Sequence, residues 1–294
     1  MGYSELPADI RARHPFHMYD EIKAQPEAIS RSLALAADRL DDLAGIISRA
    51  RRVYLTGCGT SFHAAQVGAW MLNGFSRGSV DAHAVQAFEL VTYTRDLGSR
   101  DVVVALSHSG STHMTNRALE RANQIGAATI AVTGFPEKAS GKLARFTLPT
   151  GYPDERSWAH TVSYTAALTS LAAVANHLAH PDERVDLSPL PGVVADVLGL
   201  EEVVHNTAAA ALRDRDRSGG VPIMLIGAGP NAATASEGVL KLLETSYCAA
   251  LAFELEQALH GPLAALDTDS VVMIIAPPGK SQERAVSLAA AVRC

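Results

Sequence analysis

The amino-acid sequence predicts an α/β protein of two tandem units, each a parallel sheet between layers of helices in the flavodoxin-like, three-layer arrangement. Short apolar runs typical of buried parallel strands alternate with helical patterns along most of the chain. A strand, a Gly-x-Gly turn and a helix occur twice, with Gly57 and Gly227 lying 170 residues apart. The next strands begin at Val102 and Val271, which lie 169 residues apart. Two landmarks that agree within one residue indicate an internal duplication.

Four segments are organised around this duplication. Residues 1–45 are predicted to be an N-terminal helical segment, in which Met18–Leu43 is helical and packs across the two units. Residues 46–180 form the first unit, residues 181–214 a linker and helix, and residues 215–294 the second unit. Prolines and acidic residues after the first unit are typical of a linker.

The first unit contains four predicted strands and three predicted helices. They are a strand from Arg51 to the Gly57 turn, a helix through about Leu72, a strand over Val102–Leu106, a helix from about Thr112 to Gln124, strands over Ala127–Val132 and Ala144–Leu148, and a helix from about Ser157 to Leu178. This alternation predicts a parallel sheet with helices on both faces. Ligands bind beyond the carboxyl ends of such strands.

The second unit repeats only the beginning of this order. A strand over Val221–Ile226 leads into a helix through about Tyr247, and another strand covers Val271–Ile275. The sequence stops at the position equivalent to Ile125, before a third strand. We expect the second unit to be incomplete and the sequence to be a fragment, because an exposed parallel edge invites aggregation. The alternative is a sheet that another chain or segment completes.

The turn after the Val102–Leu106 strand is the strongest indication of function. Ser107-His108-Ser109-Gly110-Ser111-Thr112 places four hydroxyls before a helix whose N-terminal N–H groups attract anions. Gly110 is expected to let the backbone approach an anion closely. Since the turn has no lysine or arginine, it suits a small phosphate monoester better than a nucleoside triphosphate. Helix capping would be the simpler explanation if the turn had one serine, but it does not account for four hydroxyls.

The equivalent turn of the second unit has diverged to Ala276-Pro277-Pro278-Gly279. Alanine has no hydroxyl and proline has no N–H, so this turn cannot hold an anion in the same way. We therefore expect one phosphate site per chain, in the first unit.

A carboxylate–lysine stripe follows the second Gly-x-Gly turn. Glu237, Lys241 and Glu244 are spaced by four and three residues, which places them on one face of a helix. A solvated ion-pair stripe is the simpler explanation, but the other residues of 239–243 are bulky and apolar. His260, in an apolar turn further on, is a candidate proton carrier beside this face.

Composition narrows the class of protein. The net charge is −6 and 19% of the residues are charged, without a long run of like charge, so nucleic acid is not an expected partner. No apolar stretch reaches the roughly 18 residues that span a bilayer, and the first residues lack the features of a secretory signal. Cys58, Cys248 and Cys294 are scattered, and the eleven histidines are dispersed. These features predict a cytoplasmic protein without a metal, a cofactor or a membrane partner.

Several motifs resemble the isomerase half of glucosamine-6-phosphate synthase. The resemblance rests on Cys58-Gly59-Thr60-Ser61, Ser107-His108-Ser109-Gly110, the stretches 237–247 and 256–263, and His17–Ile22 with Gln25-Pro26. It covers nearly the whole chain in order. The fold of that family is a pair of sugar isomerase (SIS) domains, so the resemblance implies two tandem SIS domains, the second incomplete.

The resemblance also implies a hexose 6-phosphate as the ligand. The residues that would hold its phosphate are Ser107, Ser109, Thr112 and Ser61, with Thr60 and His108 around it.

Four further residues would carry the chemistry, again by resemblance. Glu244 would move a proton between C1 and C2 of the open-chain sugar, and Lys241 would stabilise the enediol oxygen. Glu237 would orient Lys241 or the substrate. His260, which the neighbouring subunit supplies in that family, would open and close the ring, so a homodimer with a shared active site is expected.

The sequence departs from the family at three places. Residue 2 is Gly2, where the glutaminase half of the synthase has a nucleophilic cysteine, so we expect no glutamine hydrolysis by this chain. The family's Ala-Ser-Thr-Lys stretch is Ala159-His160-Thr161-Val162 here, which alters a serine and a lysine of the sugar pocket. The family's C-terminal tail, with a further lysine, is not in this sequence.

The expected function is isomerisation with deamination, which converts glucosamine 6-phosphate into fructose 6-phosphate and ammonia. Alternatives in the same architecture are synthesis from free ammonia, a ketosamine-6-phosphate deglycase and a galactosamine-6-phosphate enzyme. A non-catalytic sugar-phosphate sensor is a further alternative, and the proton-carrying Glu244 and His260 argue against it. A dinucleotide oxidoreductase is a further alternative, because Gly227-Ala228-Gly229-Pro230-Asn231-Ala232 fits the Gly-x-Gly-x-x-Ala motif. This motif alone is weak evidence, and the acidic residue expected at the end of a second strand about 20 residues later is not found in the sequence pattern.

Overall fold

Parallel strands alternate with helices in two sheets. The computed structural model describes residues 10–211, 223–268 and 270–293. In chain order, the strands and α-helices are α1 (His17–Lys23), α2 (Gln25–Ala37), α3 (Leu40–Ser48), β1 (Val53–Thr56), α4 (Thr60–Phe75), β2 (Ala82–Ala84), α5 (Ala87–Thr92), β3 (Val102–Leu106), α6 (His113–Ile125), β4 (Ala128–Thr133), α7 (Ala139–Leu143), β5 (Phe146–Pro149), α8 (Val162–Leu178), α9 (Leu190–Leu198), α10 (Glu201–Ala211), β6 (Ile223–Gly227), α11 (Pro230–Thr245), β7 (Ala250–Glu254), α12 (Leu255–Leu259), β8 (Val272–Ile275) and α13 (Gln282–Val292). Short 3₁₀ helices cover Pro181–Glu183 and Pro262–Ala265.

The first sheet has the strand order β2-β1-β3-β4-β5, and all its strands are parallel. This is the flavodoxin-like order, in which the sheet grows in opposite directions from β1 and β3. The predicted α/β fold with parallel sheets is therefore confirmed. Strand β2 was not predicted, because it has only three residues and the central one, His83, is exposed.

The second sheet, ordered β7-β6-β8, reproduces the β2-β1-β3 part of the first. The two Gly-x-Gly turns have the same backbone geometry, with φ 55° and ψ −129° at Gly59 and φ 57° and ψ −129° at Gly229. The first glycine of each turn lies against the following helix, and a Cβ on Gly227 would lie 2.1 Å from the carbonyl oxygen of Asn231. These features agree with an internal duplication. Strand β7 was not predicted from the sequence.

The predicted helical segment over Met18–Leu43 is divided into three helices, α1 to α3. Pro26 lies in the first turn of α2. Because proline has no N–H and its ring excludes the carbonyl four residues earlier, the helix must restart there. Helix α2 packs against α8 and α9. Lys23 of α1 donates a hydrogen bond to Glu201 of α10 at 2.6 Å.

Helix α8 begins at Val162, five residues later than predicted. The carboxylate of Glu155 accepts hydrogen bonds from the N–H groups of Thr161 (2.6 Å) and Val162 (3.0 Å). It thereby satisfies N–H groups that have no partner within the helix. The segment before Val162 is consequently a loop that follows β5.

The main core lies between the first sheet and the helices α4 and α8. Strands β1 and β3 are buried along their whole length, and Leu55, Leu72 and Leu171 are among the residues of this core. Helix α4 also packs against α11, so the equivalent helices of the two units meet. The predicted linker contains α9 and α10. Among the described residues, no helix has the length and apolar character to cross a membrane.

Candidate functional site

A cavity of about 230 Å³ lies at the carboxyl ends of β1 and β3 and reaches α11 of the second unit. This is the place where ligands bind in parallel α/β sheets. Glu244 of α11 lines the cavity. All six residues predicted around the phosphate line it as well: Thr60, Ser61, Ser107, His108, Ser109 and Thr112.

The turn after β3 is rich in mutually hydrogen-bonded hydroxyls. Ser107 Oγ donates to Thr112 Oγ1 at 3.0 Å, and the Ser109 and Ser111 hydroxyls lie 2.9 Å apart. Thr112 is the N-cap residue of α6, yet its side chain makes no capping hydrogen bond. Helix capping by Thr112 therefore does not explain these hydroxyls, and three of the four residues, Ser107, Ser109 and Thr112, line the cavity.

Gly110 has a role other than the one expected. Its φ of +64° is strained for other residues, and a Cβ there would lie 3.1 Å from Lys138 Cβ and 3.2 Å from the carbonyl oxygen of Phe135. The missing Cβ therefore faces the segment after β4. The glycine is needed for the turn and its packing, rather than for the close approach of an anion.

Two helix N-termini meet the cavity wall. Helix α4 begins with Thr60 and Ser61, and α6 begins directly after Thr112. The N-terminal end of each helix carries a partial positive charge, which favours a bound anion. The cavity thus attracts an anion although the Ser107–Thr112 turn has no lysine or arginine.

A buried network beside the cavity joins the two units. The Glu237 side chain is 7% exposed; its carboxylate accepts a hydrogen bond from Thr60 Oγ1 at 3.0 Å and lies 2.7 Å from His63 Nδ1. Lys241 Nζ lies 3.2 Å from Glu237 Oε1 and donates to Thr60 Oγ1 at 3.1 Å. The stripe on α11 is therefore not a solvated one. Glu237 contacts Lys241 directly, in agreement with an orienting role for this carboxylate.

Glu244 is the member of the stripe that reaches the cavity. Its carboxylate Oε2 lies 2.6 Å from Lys241 Nζ, and its side chain is 34% exposed. A carboxylate that both faces a cavity and contacts a lysine is able to take up and return a proton. The lysine would at the same time stabilise negative charge on a nearby ligand oxygen.

His260 does not lie at the cavity of its own chain. Its side chain is 72% exposed, and its Nε2 lies 3.2 Å from Glu256 Oε1. Arg284 donates two hydrogen bonds to Glu256, at 2.7 and 2.8 Å, and lowers the pKa of this carboxyl to about 2. Glu256 is therefore charged at neutral pH, and its contact with His260 lies at the surface.

Two histidines and a carboxylate meet in the cavity wall. The imidazole centroids of His108 and His160 are 5.4 Å apart, and Glu155 Oε2 lies 2.7 Å from His160 Nδ1. Burial lowers the pKa of His108 to about 4. Burial alone would raise the pKa of Glu155, but hydrogen bonds, the largest from His160, lower it overall. One ligand atom from each of these three residues lies within 4.8 Å of the other two, a proximity that the dispersed positions of the histidines in the sequence do not indicate.

Three buried polar atoms in the cavity wall have no hydrogen-bond partner among the described residues. They are His108 Nδ1, Thr150 Oγ1 and the Tyr164 hydroxyl. Buried polar groups are nearly always hydrogen-bonded, so these three atoms are candidates for contacts with a polar ligand. Burial raises the pKa of Tyr164, and its hydroxyl consequently remains a donor at neutral pH.

Sequence reasoning missed several residues of the site. His63 follows Thr60 by three positions, so one helical turn could have indicated it. Glu155 and Tyr164 carry no sequence signal, because their places depend on how the loop before α8 folds over the cavity.

The second Gly-x-Gly turn has an acid near it that the sequence did not indicate. Strand β7, next to β6, ends at Glu254. Glu254 Oε2 accepts the N–H groups of Glu256 (2.9 Å) and Gln257 (3.0 Å) and so caps α12. Because this oxygen already accepts two backbone hydrogen bonds, it argues against Glu254 binding the ribose of a dinucleotide, as the equivalent acid does in dinucleotide-binding proteins.

The fold and the cavity define a protein with two SIS domains. A family model of the SIS domain matches residues 46–177 and 222–293, and the chain therefore belongs to this family. Among curated proteins, glutamine–fructose-6-phosphate aminotransferase (isomerizing) from Gloeobacter violaceus is 32% identical over 289 residues, which cover 92% of this chain and 46% of that protein. The chain thus spans about half the length of the curated relatives it matches.

Solved structures share the fold. The C-terminal domain of glucosamine-fructose-6-phosphate aminotransferase from Francisella tularensis has a TM-score of 0.83 at 21% identity, covering 97% of this chain and 82% of that one. Glucosamine-6-phosphate deaminase from Thermotoga maritima has a TM-score of 0.68 at 18% identity, covering 90% and 82%. At these identities the likeness concerns the fold alone.

Proposed function

We propose that this chain is a phosphosugar isomerase that deaminates glucosamine 6-phosphate to fructose 6-phosphate and ammonia. One observation carries the proposal: a single cavity is lined both by the hydroxyl-rich turn after β3 and by Glu244, which contacts Lys241. The first feature suits a phosphate ester and the second suits proton transfer. The similarity to aminotransferase halves supports the same substrate class.

In this proposal the phosphate end is bound by uncharged donors. The hydroxyls of Ser107, Ser109, Thr112 and Ser61 and the N-termini of α4 and α6 surround it. Tyr164 and Thr150 supply further donors that have no other described partner. A hexose 6-phosphate is a metabolite of the cytoplasm, which is where we expect the protein to act.

The chemistry takes place on the open-chain sugar. Glu244 removes the proton from C2 and returns it to C1, while the oxygen at C1 gains a proton and the amino nitrogen loses one. The 2-amino aldose thereby becomes the C2 imine of the ketose. Water then hydrolyses the imine, and ammonia leaves from C2. Lys241 stabilises the negative oxygen at C1 in the intermediate, and Glu237 and Thr60 hold Lys241 in place.

In this proposal, His260 of a second chain opens the ring of the sugar phosphate. This histidine is exposed and lies away from the cavity of its own chain. We therefore propose a homodimer in which each cavity receives the partner's histidine. Mixed dimers of Glu244→Gln and His260→Ala subunits contain one intact site, so mixing the two inactive variants should restore about a quarter of the wild-type activity. Unmixed variants are the control, and a mixture as inactive as they are would contradict the shared site.

Ammonia release tests the reaction itself. The purified protein is incubated with glucosamine 6-phosphate, and ammonia and fructose 6-phosphate are measured in the same samples. Equal amounts of the two products are expected, with no product from unphosphorylated glucosamine or with Glu244→Gln. The absence of both products would overturn the deaminase proposal. Product formed from a ketosamine 6-phosphate instead would show that a deglycase acts on the same scaffold.

Ligand binding separates an enzyme from a sensor. An enzyme in which Glu244 carries the proton loses turnover in Glu244→Gln but still binds fructose 6-phosphate. A sensor would bind the sugar phosphate and release no product even as the wild type.

A further inference from the structure

A second group of ionisable side chains lies beside the phosphate turn. His108 belongs to the turn itself, His160 precedes α8, and Glu155 lies in the loop before it. One ligand atom from each residue lies within 4.8 Å of the other two. The proposed deamination uses neither Glu155 nor His160.

The carboxylate of this group is held in place. The Glu155 side chain is fully buried. One of its oxygens caps α8 through the N–H groups of Thr161 and Val162, and the other lies 2.7 Å from His160 Nδ1. One oxygen of this carboxylate thus bonds the start of the helix and the other contacts an imidazole of the same group, which fixes the direction of the carboxylate.

The imidazole of His108 provides a second, independent observation at this place. Its Nδ1 is buried and has no hydrogen-bond partner among the described residues. A buried nitrogen of this kind costs free energy unless something binds it.

We propose that His108, Glu155 and His160 bind one first-row divalent cation, with Zn²⁺ as the best-fitting ion. Two imidazoles and a carboxylate are a donor set that zinc prefers. Ligand atoms about 2.0–2.1 Å from a tetrahedral zinc ion lie about 3.4 Å apart. Atoms already within 4.8 Å of one another need only small movements to reach this spacing, among them the opening of the 2.7 Å contact between Glu155 Oε2 and His160 Nδ1.

The position of this site gives the ion a use. His108 and His160 both line the cavity, so an ion held between them would lie at the wall of this cavity. An ion there adds positive charge next to a turn without lysine or arginine. It would accept an oxygen of the phosphate or of the sugar as its fourth ligand.

Metal binding without any sugar tests this site. The full chain, stripped with EDTA and dialysed, is titrated with Zn²⁺ by calorimetry and with Co²⁺ by visible absorption. We expect one ion per chain and a Co²⁺ spectrum of low coordination number. His160→Ala and His108→Ala should each weaken Zn²⁺ binding by at least about tenfold. His160→Ala leaves the helix-capping oxygen of Glu155 in place, and circular dichroism verifies that the variant is folded.

His83→Ala is the matched control. His83 is a half-exposed histidine 2.7 Å from the Asp81 carboxylate, outside the cavity wall. This variant should bind Zn²⁺ like the wild type. Absence of stoichiometric binding, or binding that His160→Ala and His108→Ala leave unchanged, would overturn the proposal. Because no sugar phosphate is present, these results are independent of whether the deaminase proposal holds.

Discussion

Removal of the Glu237 carboxylate should destabilise the protein strongly. The side chain is 7% exposed and contacts Thr60, His63 and Lys241 from α4 and α11. In Glu237→Ala, the Thr60 hydroxyl and the His63 imidazole lose the carboxylate that they contact. Lys241, whose side chain is 16% exposed, loses one of its two carboxylate partners. Breaking a buried ion pair from one side costs about 3–5 kcal/mol, and we expect a loss of unfolding free energy of this size.

The chain contains a matched carboxylate for this experiment. Glu256 also contacts a histidine and a cation, His260 and Arg284, but its side chain is 49% exposed. Glu256→Ala should therefore cost much less than Glu237→Ala, since water replaces the lost partners. Urea unfolding of both variants at pH 7.5, followed by circular dichroism, gives the comparison. Equal losses in the two variants would refute the conclusion that Glu237 acts through a buried network.

Four further predictions concern the cavity and the turns that shape it. Glu244→Gln should lower kcat by about 10²–10⁴-fold and leave the affinity for fructose 6-phosphate nearly unchanged, as kinetics and calorimetry would show. Ser109→Ala should raise KM by about 10–100-fold, because a hydrogen bond to a charged phosphate contributes about 1.5–3 kcal/mol. Between pH 7.5 and pH 5, the free energy of unfolding of the EDTA-treated wild type should fall by about 2 kcal/mol more than that of His108→Gln. The reason is that His108 binds a proton near pH 6.5 in the unfolded chain but only near pH 4 in the folded protein, so acid favours the unfolded state. Urea titrations at the two pH values measure this difference, and parallel losses would contradict it. Gly227→Ala should prevent the second unit from folding, as its Cβ would lie 2.1 Å from the Asn231 carbonyl oxygen; circular dichroism and soluble yield would report it.

The sequence was most informative where one local pattern determines both structure and chemistry. The hydroxyl-rich turn Ser107–Thr112 follows a wholly apolar strand, so its position at the carboxyl end of β3 could be inferred directly. The repeated Gly-x-Gly turns likewise showed the duplication, since close packing against a helix and a positive φ both require glycine. The spacing of Glu237, Lys241 and Glu244 placed them on one helix face.

Other features depend on contacts that no local pattern encodes. Strands β2 and β7 are short or partly exposed, and they pair with β1 and β6 only because the preceding helices return the chain to the sheet edge. The meeting of His108 with His160 requires a loop 52 residues further along the chain to fold over the β3 turn. Glu155 sets the start of α8 from seven residues away, which periodicity alone cannot indicate.

Hydrogen exchange on a sugar phosphate in D₂O tests the central claim most directly, because it detects proton transfer without requiring ammonia. The protein is incubated with fructose 6-phosphate, and deuterium at C1 is followed by nuclear magnetic resonance. We predict that the wild type introduces deuterium and that Glu244→Gln does not. An unlabelled sugar with the wild type, or equal labelling by Glu244→Gln, would contradict a cavity in which this carboxylate moves the proton.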